Sequence, residues 1–136
     1  MEKNQNLIYQ FQYLKERRNM FQDQLDFISA SLGNLINTKN TIEKLKDVKE
    51  GEEILVPIGG IINLRAIIKN PEKCLLYISH DVVIEKELES SIDFIEKIIG
   101  QHNEQIQFLR EQIQKLDLNL QNISQDLVRS NPKQYN

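Results

Sequence analysis

The sequence predicts an α+β fold: a long antiparallel coiled-coil hairpin of two helices with two β-hairpins at the bend. Three observations predict it. A heptad seam runs through the last third of the chain, a second through the first third, and a block of alternating residues with turn signals lies between them. A single domain is expected over residues 1–136, with helix 1 over about 5–48, the hairpins over about 53–84, helix 2 over about 87–130 and a disordered tail over 131–136.

In the first helix, Leu7, Leu14, Phe21, Ile28, Leu35 and Ile42 recur every seven residues without a miss. The interleaved set is Phe11, Arg18, Leu25, Leu32 and Lys39, so two of its members are charged. Lys44, Lys46 and Lys49 gather at the helix end, where cations favour the exposed carbonyls, and Gly51 suits a left-handed cap. A run of roughly 40 residues makes a helix about 60 Å long. Such a helix cannot bury its apolar stripe alone.

The middle segment changes period. EILVPI and IINLRAIIK flank Gly59-Gly60, a hairpin signal. Ile62, Leu64, Ala66 and Ile68 alternate with Asn63, Arg65, Ile67 and Lys69. Asn70-Pro71-Glu72-Lys73 reads as a turn with proline at its second position. CLLYI and VVI, separated by Ser79-His80-Asp81, make a second hairpin.

The last helix carries the stronger seam. Leu88, Ile92, Ile95, Ile99, His102, Ile106, Leu109, Ile113, Leu116, Leu120, Ile123 and Leu127 alternate in steps of four and three. Every member except His102 is a large aliphatic, for more than five repeats. Pro132 discourages helix beyond about residue 130.

Composition excludes several classes. Apolar residues make up 40% and charged residues 27%, with 5 Gly and 3 Pro, so neither a disordered nor a fibrous chain is expected. A net charge of −3 supplies no basic face for nucleic acid. One cysteine, Cys74, and two lone histidines, His80 and His102, make neither a disulfide framework nor a metal site. No phosphate-binding loop is present, since Gly59-Gly60 lacks its spacing and its lysine, and no nucleophile–base arrangement can be picked out. No catalytic residue, metal or cofactor is assigned. Without a signal-like or membrane-length apolar run, a soluble, cytoplasmic protein that engages no membrane is expected.

Four short strands beside a thin coiled coil have no second layer from their own chain, and they leave open edges. Closing the sheet with partner chains, into a barrel or sandwich, solves both problems. An obligate oligomer joined through the β region is therefore expected. The residues assigned to that platform are Ile54, Val56, Ile62, Leu64 and Ile68 in the first hairpin. In the second they are Leu75, Tyr77, Val82 and Ile84.

The chain resembles the α-type subunits of the prefoldin family. The resemblance is densest from GEEILVPIGG through the strands to VVIEKELESSIDFIEKII. The Val-Pro after the first strand fits the α-type pattern, as does the VVIEK strand running into a helix through an acidic stretch. The second hairpin carries most weight, because β-type subunits have only one. Ser79-His80-Asp81 stands where the family often has a glycine-rich turn.

The resemblance implies a heterohexamer of two α-type and four β-type subunits, on a double β-barrel platform with six coiled-coil arms. It implies an ATP-independent chaperone that holds unfolded client proteins at the arm tips and passes them to a group II chaperonin in the cytosol. The alternative is a structural coiled-coil scaffold in another prefoldin-like complex.

With the β region as the bend, both chain ends belong at the tip of an arm. Leu7, Ile8, Tyr9, Phe11 and Tyr13 cluster near one end, more than a two-position seam buries. The expected client contacts are Leu7, Ile8 and Phe11 with Leu120, Ile123, Leu127 and Val128, of which Ile8 and Val128 lie outside the seam. His102 reads as a polar residue that sets register opposite Ala30 and Gly33. Lys39 is expected to face Asp93, and Cys74 to act as a small buried hydrophobe. Gly33 and Gly100 stand at comparable distances from the bend, where a flexible point is one reading.

Overall fold

A computed structural model describes residues 2–130. The order is α1 (Glu2–Leu45), β1 (Glu53–Pro57), β2 (Asn63–Ile67), β3 (Lys73–Tyr77), β4 (Val83–Glu87) and α2 (Leu88–Ser130). The tail expected over 131–136 lies outside the described residues. Helix α1 starts and stops three residues earlier than its period implies. Its last turn tightens into i→i−3 bonds, with the amides of Lys46, Asp47 and Val48 donating to the carbonyls of Glu43, Lys44 and Leu45 at 3.2–3.4 Å. At the other boundary β4 continues to Glu87 and passes into α2 without a linker. The Leu88 amide donates to the Glu72 carbonyl at 2.8 Å, so the first helical residue still belongs to the ladder.

The chain divides into two compact units. One joins the residues up to Leu32 to those from Gln101 onward; the other is Gly33–Gly100. In the first unit the seam is inside: Ile28, Ile106, Leu109, Ile113, Leu116 and Leu127 are buried. Leu109 is the most enclosed, at 1% exposure. The contacts between the two helices there run antiparallel, with Arg18 meeting Asp117 and Ser31 meeting His102. In the second unit Leu88, Ile92 and Ile95 are buried, and the Lys39–Glu96 and Lys46–Glu89 pairs make the two helices antiparallel within it. Lys39 therefore engages Glu96 at 3.1 Å and Glu43 at 3.9 Å, rather than Asp93. The reason is reach: its long stem leaves the seam to put the ammonium at the wet edge.

The strands form two separate two-stranded antiparallel sheets, β1 with β2 and β3 with β4. In the first, Ile54 opposes Ala66 and Val56 opposes Leu64. The Gly59-Gly60 connection is not a two-residue turn. The Ile58 amide donates to the Ile62 carbonyl at 2.7 Å across three intervening residues, and Gly59 alone of the pair has a positive φ, 78°. In the second sheet Ser79-His80-Asp81 closes the turn with no positive-φ residue, so a glycine is not needed there. The Asn70 side chain accepts from the Glu72 amide at 3.2 Å and shapes the crossing between the sheets.

Gly51 has φ 85° and its amide donates to the Ile68 carbonyl at 2.9 Å, closing the helix-to-strand junction. Gly33 and Gly100 differ, because both are helical and an added Cβ would meet nothing within 4 Å. Opposite signs are therefore expected in urea unfolding of the folded protein. Gly51→Ala should lower stability by about 1–2 kcal/mol, and Gly100→Ala should raise it by up to about 1 kcal/mol.

Candidate functional site

Two regions carry the residues assigned from the sequence, one in each unit. In the unit that holds both chain ends, a seam member is turned toward the opposite helix and its neighbours toward water. Leu7, Phe11, Leu120 and Ile123 are half-buried in that seam. Leu127 is buried at 7% exposure. It can meet a ligand only when the last turns fray, which is cheap at a helix end. Ile8 is exposed and Val128 half-buried, in keeping with their places outside the seam. The Arg18–Asp117 pair, 2.9 Å apart, sets the register. Continued outward, it brings Leu7 and Phe11 level with residues 124–128.

Near the start of α1 the most exposed large side chains are Tyr9 and Tyr13, at 71% and 60%. Both belong to the aromatic cluster visible in the sequence, yet the choice of seam members passed them over. Their phase off the seam was the available signal. His102 is held by the Ser31 hydroxyl, with Nε2 and Oγ 3.0 Å apart. A hydroxyl on the facing helix thus satisfies the imidazole at a core position, which specifies register as a buried polar group does.

The β region forms the second surface. One face of the first hairpin gathers Ile54, Val56, Leu64 and Ala66, with Ile62 and Ile68 flanking it. Val56, Ile62 and Leu64 are exposed and Ile54, Ala66 and Ile68 half-buried, so this apolar face is only partly covered by its own chain. In the second hairpin the assigned residues divide between the faces: Leu75 and Tyr77, opposite Glu85 and Val83, stand on one, and Ile84, opposite Leu76, on the other. Leu75, Tyr77 and Val83 stand on the exposed side. Val82 lies in the closing turn, where its carbonyl accepts from the amides of Ile78 and Ser79. The turn length sets this register, and a one-residue change exchanges the faces.

The other side of that hairpin, with Cys74, Leu76 and Ile84 half-buried, is anchored on the start of α2. Cys74 Sγ and Ser91 Oγ are 2.8 Å apart, Ser91 also donates to the Glu87 carbonyl, and the Lys86 ammonium stands 5.3 Å from the Phe94 ring centre. Cys74 is therefore a hydrogen-bonded neighbour of a buried serine as well as an apolar filler. Sequence reasoning also missed Leu55, Ile58, Ile61, Ile67 and Ile78, all exposed. Of these, Leu55 and Ile67 occupy the opposite phase of their strands, which alternation alone assigns to solvent.

This pairing of a partly exposed β surface with a heptad-packed helix pair has counterparts among known proteins. A family model described as "Prefoldin subunit" matches residues 14–131. The chain belongs to the prefoldin family. Similar relatives include a prefoldin subunit alpha of Methanospirillum hungatei, 30% identical over 122 residues that cover 85% of this chain and 82% of the relative. A prefoldin subunit alpha of Pyrococcus horikoshii is 25% identical over 103 residues, 75% of this chain and 70% of that one. The fold is shared with a chain in the cryo-EM structure of filamentous PFD from Methanocaldococcus jannaschii. That match has a TM-score of 0.70 and 20% identity, and covers 82% of this chain and 93% of the other.

Among the described residues, no group of three His, Cys, Asp or Glu side chains could hold a metal ion. No described helix is long and apolar enough to cross a membrane.

Charge also ties the foot of this prefoldin's helices together. Lys46 Nζ lies 3.0 Å from a Glu89 carboxylate oxygen. That hydrogen bond, aided by the charges of Glu89, Glu43 and Asp93 and opposed by desolvation, raises the Lys46 pKa above its ordinary 10.5. A raised folded-state value means the pair stabilises the fold fully below the unfolded lysine value and ceases to do so as pH climbs through the folded one. The stability difference between the native protein and Lys46→Met should accordingly hold constant from neutrality to about pH 9 and shrink above about pH 10.5 in urea unfolding. For the more remote pair, a double-mutant cycle on Arg18→Ala and Asp117→Ala should return a coupling of about 0.2–1 kcal/mol that fades in 1 M salt.

Proposed function

We propose that this chain is the α-type subunit of an ATP-independent chaperone that holds unfolded proteins for a group II chaperonin. Family membership and the α-type relatives support this reading. The single observation that carries it to a mechanism is the partly exposed apolar β surface. Val56, Ile62, Leu64, Leu75, Tyr77 and Val83 are exposed in one chain, and burying them against neighbours is what an oligomeric platform would do. Two α-type and four β-type subunits, closing their hairpins into a double barrel, are the assembly we infer. The platform residues are Ile54, Val56, Ile62, Leu64, Ile68, Leu75, Tyr77, Val82 and Ile84. Cytoplasmic localisation, no catalytic step and no cofactor belong to the same reading.

In the unit that holds both chain ends, the proposed client contacts are Leu7, Ile8, Phe11, Leu120, Ile123, Leu127 and Val128. Each contact buries little area, and the client loses entropy in being held, so single-arm binding is weak. Several arms acting on one client raise affinity by roughly 10²–10⁴-fold when geometry allows simultaneous engagement. Weak contacts that are strong only as a set permit stepwise release, which is what transfer without ATP requires.

The test is the native mass of this chain mixed with a β-type prefoldin subunit from the same source. A hexamer with two copies of this chain and four of the partner is expected. A monomer or dimer that ignores the partner would favour a scaffold in some other complex. In the assembled hexamer, removing residues 1–12 and 120–136 should leave assembly intact and abolish suppression of client aggregation. Undiminished suppression by the truncated complex would overturn the tip assignment.

A further inference from the structure

We infer that unfolded clients are also held along the side of the arm, on a strip of α1 formed by Tyr13, Met20 and Phe27 with Phe108 of α2 beside it. The inference rests on the chaperone reading above and extends its contact surface about 20 residues down the helix, some 30 Å from the tip. All four residues belong to the unit that holds both chain ends.

The strip is defined by period. Tyr13, Met20 and Phe27 are seven residues apart, so they stack in one row on the helix, and Tyr9 stands one turn before Tyr13 to join the row to the tip. None is a seam residue. Tyr13 is 60% exposed, Met20 50% and Phe27 76%. A coiled coil needs no large apolar side chain at such a position, where solvated polar groups are the rule.

Phe108, 53% exposed, holds the equivalent place on α2. Ser31 meets His102 and Arg18 meets Asp117, so the residue level with Phe27 lies next to Phe108 in sequence. In an antiparallel pair, like heptad positions flank the same side. Phe27 and Phe108 therefore border one face of the hairpin, the side on which Ser31 and His102 meet. The floor between the borders carries Gln24 and Ser31 from α1 and Gln105 and Gln112 from α2, with Arg17 donating to the Tyr13 hydroxyl at 3.4 Å. The opposite side carries the Arg18–Asp117 pair, with Lys15 and Arg110. The large apolar side chains of the row thus lie on the side away from the Arg18–Asp117 pair.

The occupant is an extended segment of an unfolded polypeptide. A second folded copy is disfavoured by area. Four partly exposed large side chains present about 400–600 Å², against about 800 Å² per partner in a stable interface. An unfolded segment needs no such area, because it gains from several weak contacts at once. The row is also chemically undemanding: two aromatics around a methionine adapt to varied apolar side chains. Glutamine amides along the floor can bond an extended backbone whatever its sequence.

The test uses the assembled hexamer and a permanently unfolded probe, reduced and carboxymethylated α-lactalbumin. A benzophenone amino acid replaces Ile8, Phe27 or, as a control on the charged side, Lys15, and each variant is irradiated with the probe. Cross-links at positions 8 and 27, absent at 15, are expected. Phe27→Ser with Met20→Ser should weaken probe binding about fivefold or more, with native mass and helix content unchanged because both residues are exposed. Cross-linking at 8 without 27 would overturn the strip and leave the chaperone reading standing. Equal cross-linking at 15 and 27 would overturn the preference for one side. No cross-link at any position would overturn both readings.

Discussion

Everything in this chain depends on the aliphatic seam of α2. Leu88, Ile92, Ile95, Ile106, Leu109, Ile113, Leu116 and Leu127 are all buried, although only α1 and, at the start of α2, the second hairpin are there to pack against them. An isolated helix would leave that stripe in water, at a loss of about 1.5–3 kcal/mol for each large aliphatic side chain. The demand is met by α1, whose own seam is weaker, with Ile28 its only buried member among the described residues. Two helices of more than 40 residues can meet side by side only if the chain reverses between them, and that reversal is where the strands occur.

Charges at the seam refine the same constraint. Arg18 and Lys39 occupy positions that aliphatics would fill, and each reaches a carboxylate on the opposite helix. Such partly exposed pairs add little stability. Their value lies in register, because a slip by one heptad would separate every pair. His102 with Ser31 does the same within the core. A coiled coil of undifferentiated aliphatics would tolerate several alignments; three polar pairings along its length reject them.

The division of labour between the two regions follows from what each leaves unburied. The β-hairpins are thin and leave Val56, Ile62, Leu64, Leu75 and Tyr77 exposed, the surface that the proposed assembly would bury. The arm is self-sufficient in its seam and so can present apolar residues elsewhere without risk to the fold. The proposed chaperone would use both: a joint with its partner subunits and a contact surface for its clients.

The sequence by itself determined the helices, the two hairpins and the seam, because heptad and two-residue periods are local signals repeated often enough to exceed chance. It also revealed the apolar cluster from Leu7 to Tyr13. The boundaries were less legible: α1 stops at Leu45 because its last turn tightens, and no residue type announces that. Only the tertiary structure decided which strand face is covered. Leu75, Tyr77 and Ile84 look equivalent in a list of apolar residues, but the register that separates them is set by the turn after Tyr77. The same holds for Lys39, whose partner depended on side-chain reach across the seam, and for Tyr13, Met20 and Phe27. Their spacing was always readable, but whether a helix face is bare is a property of what packs against it, and that is settled in three dimensions.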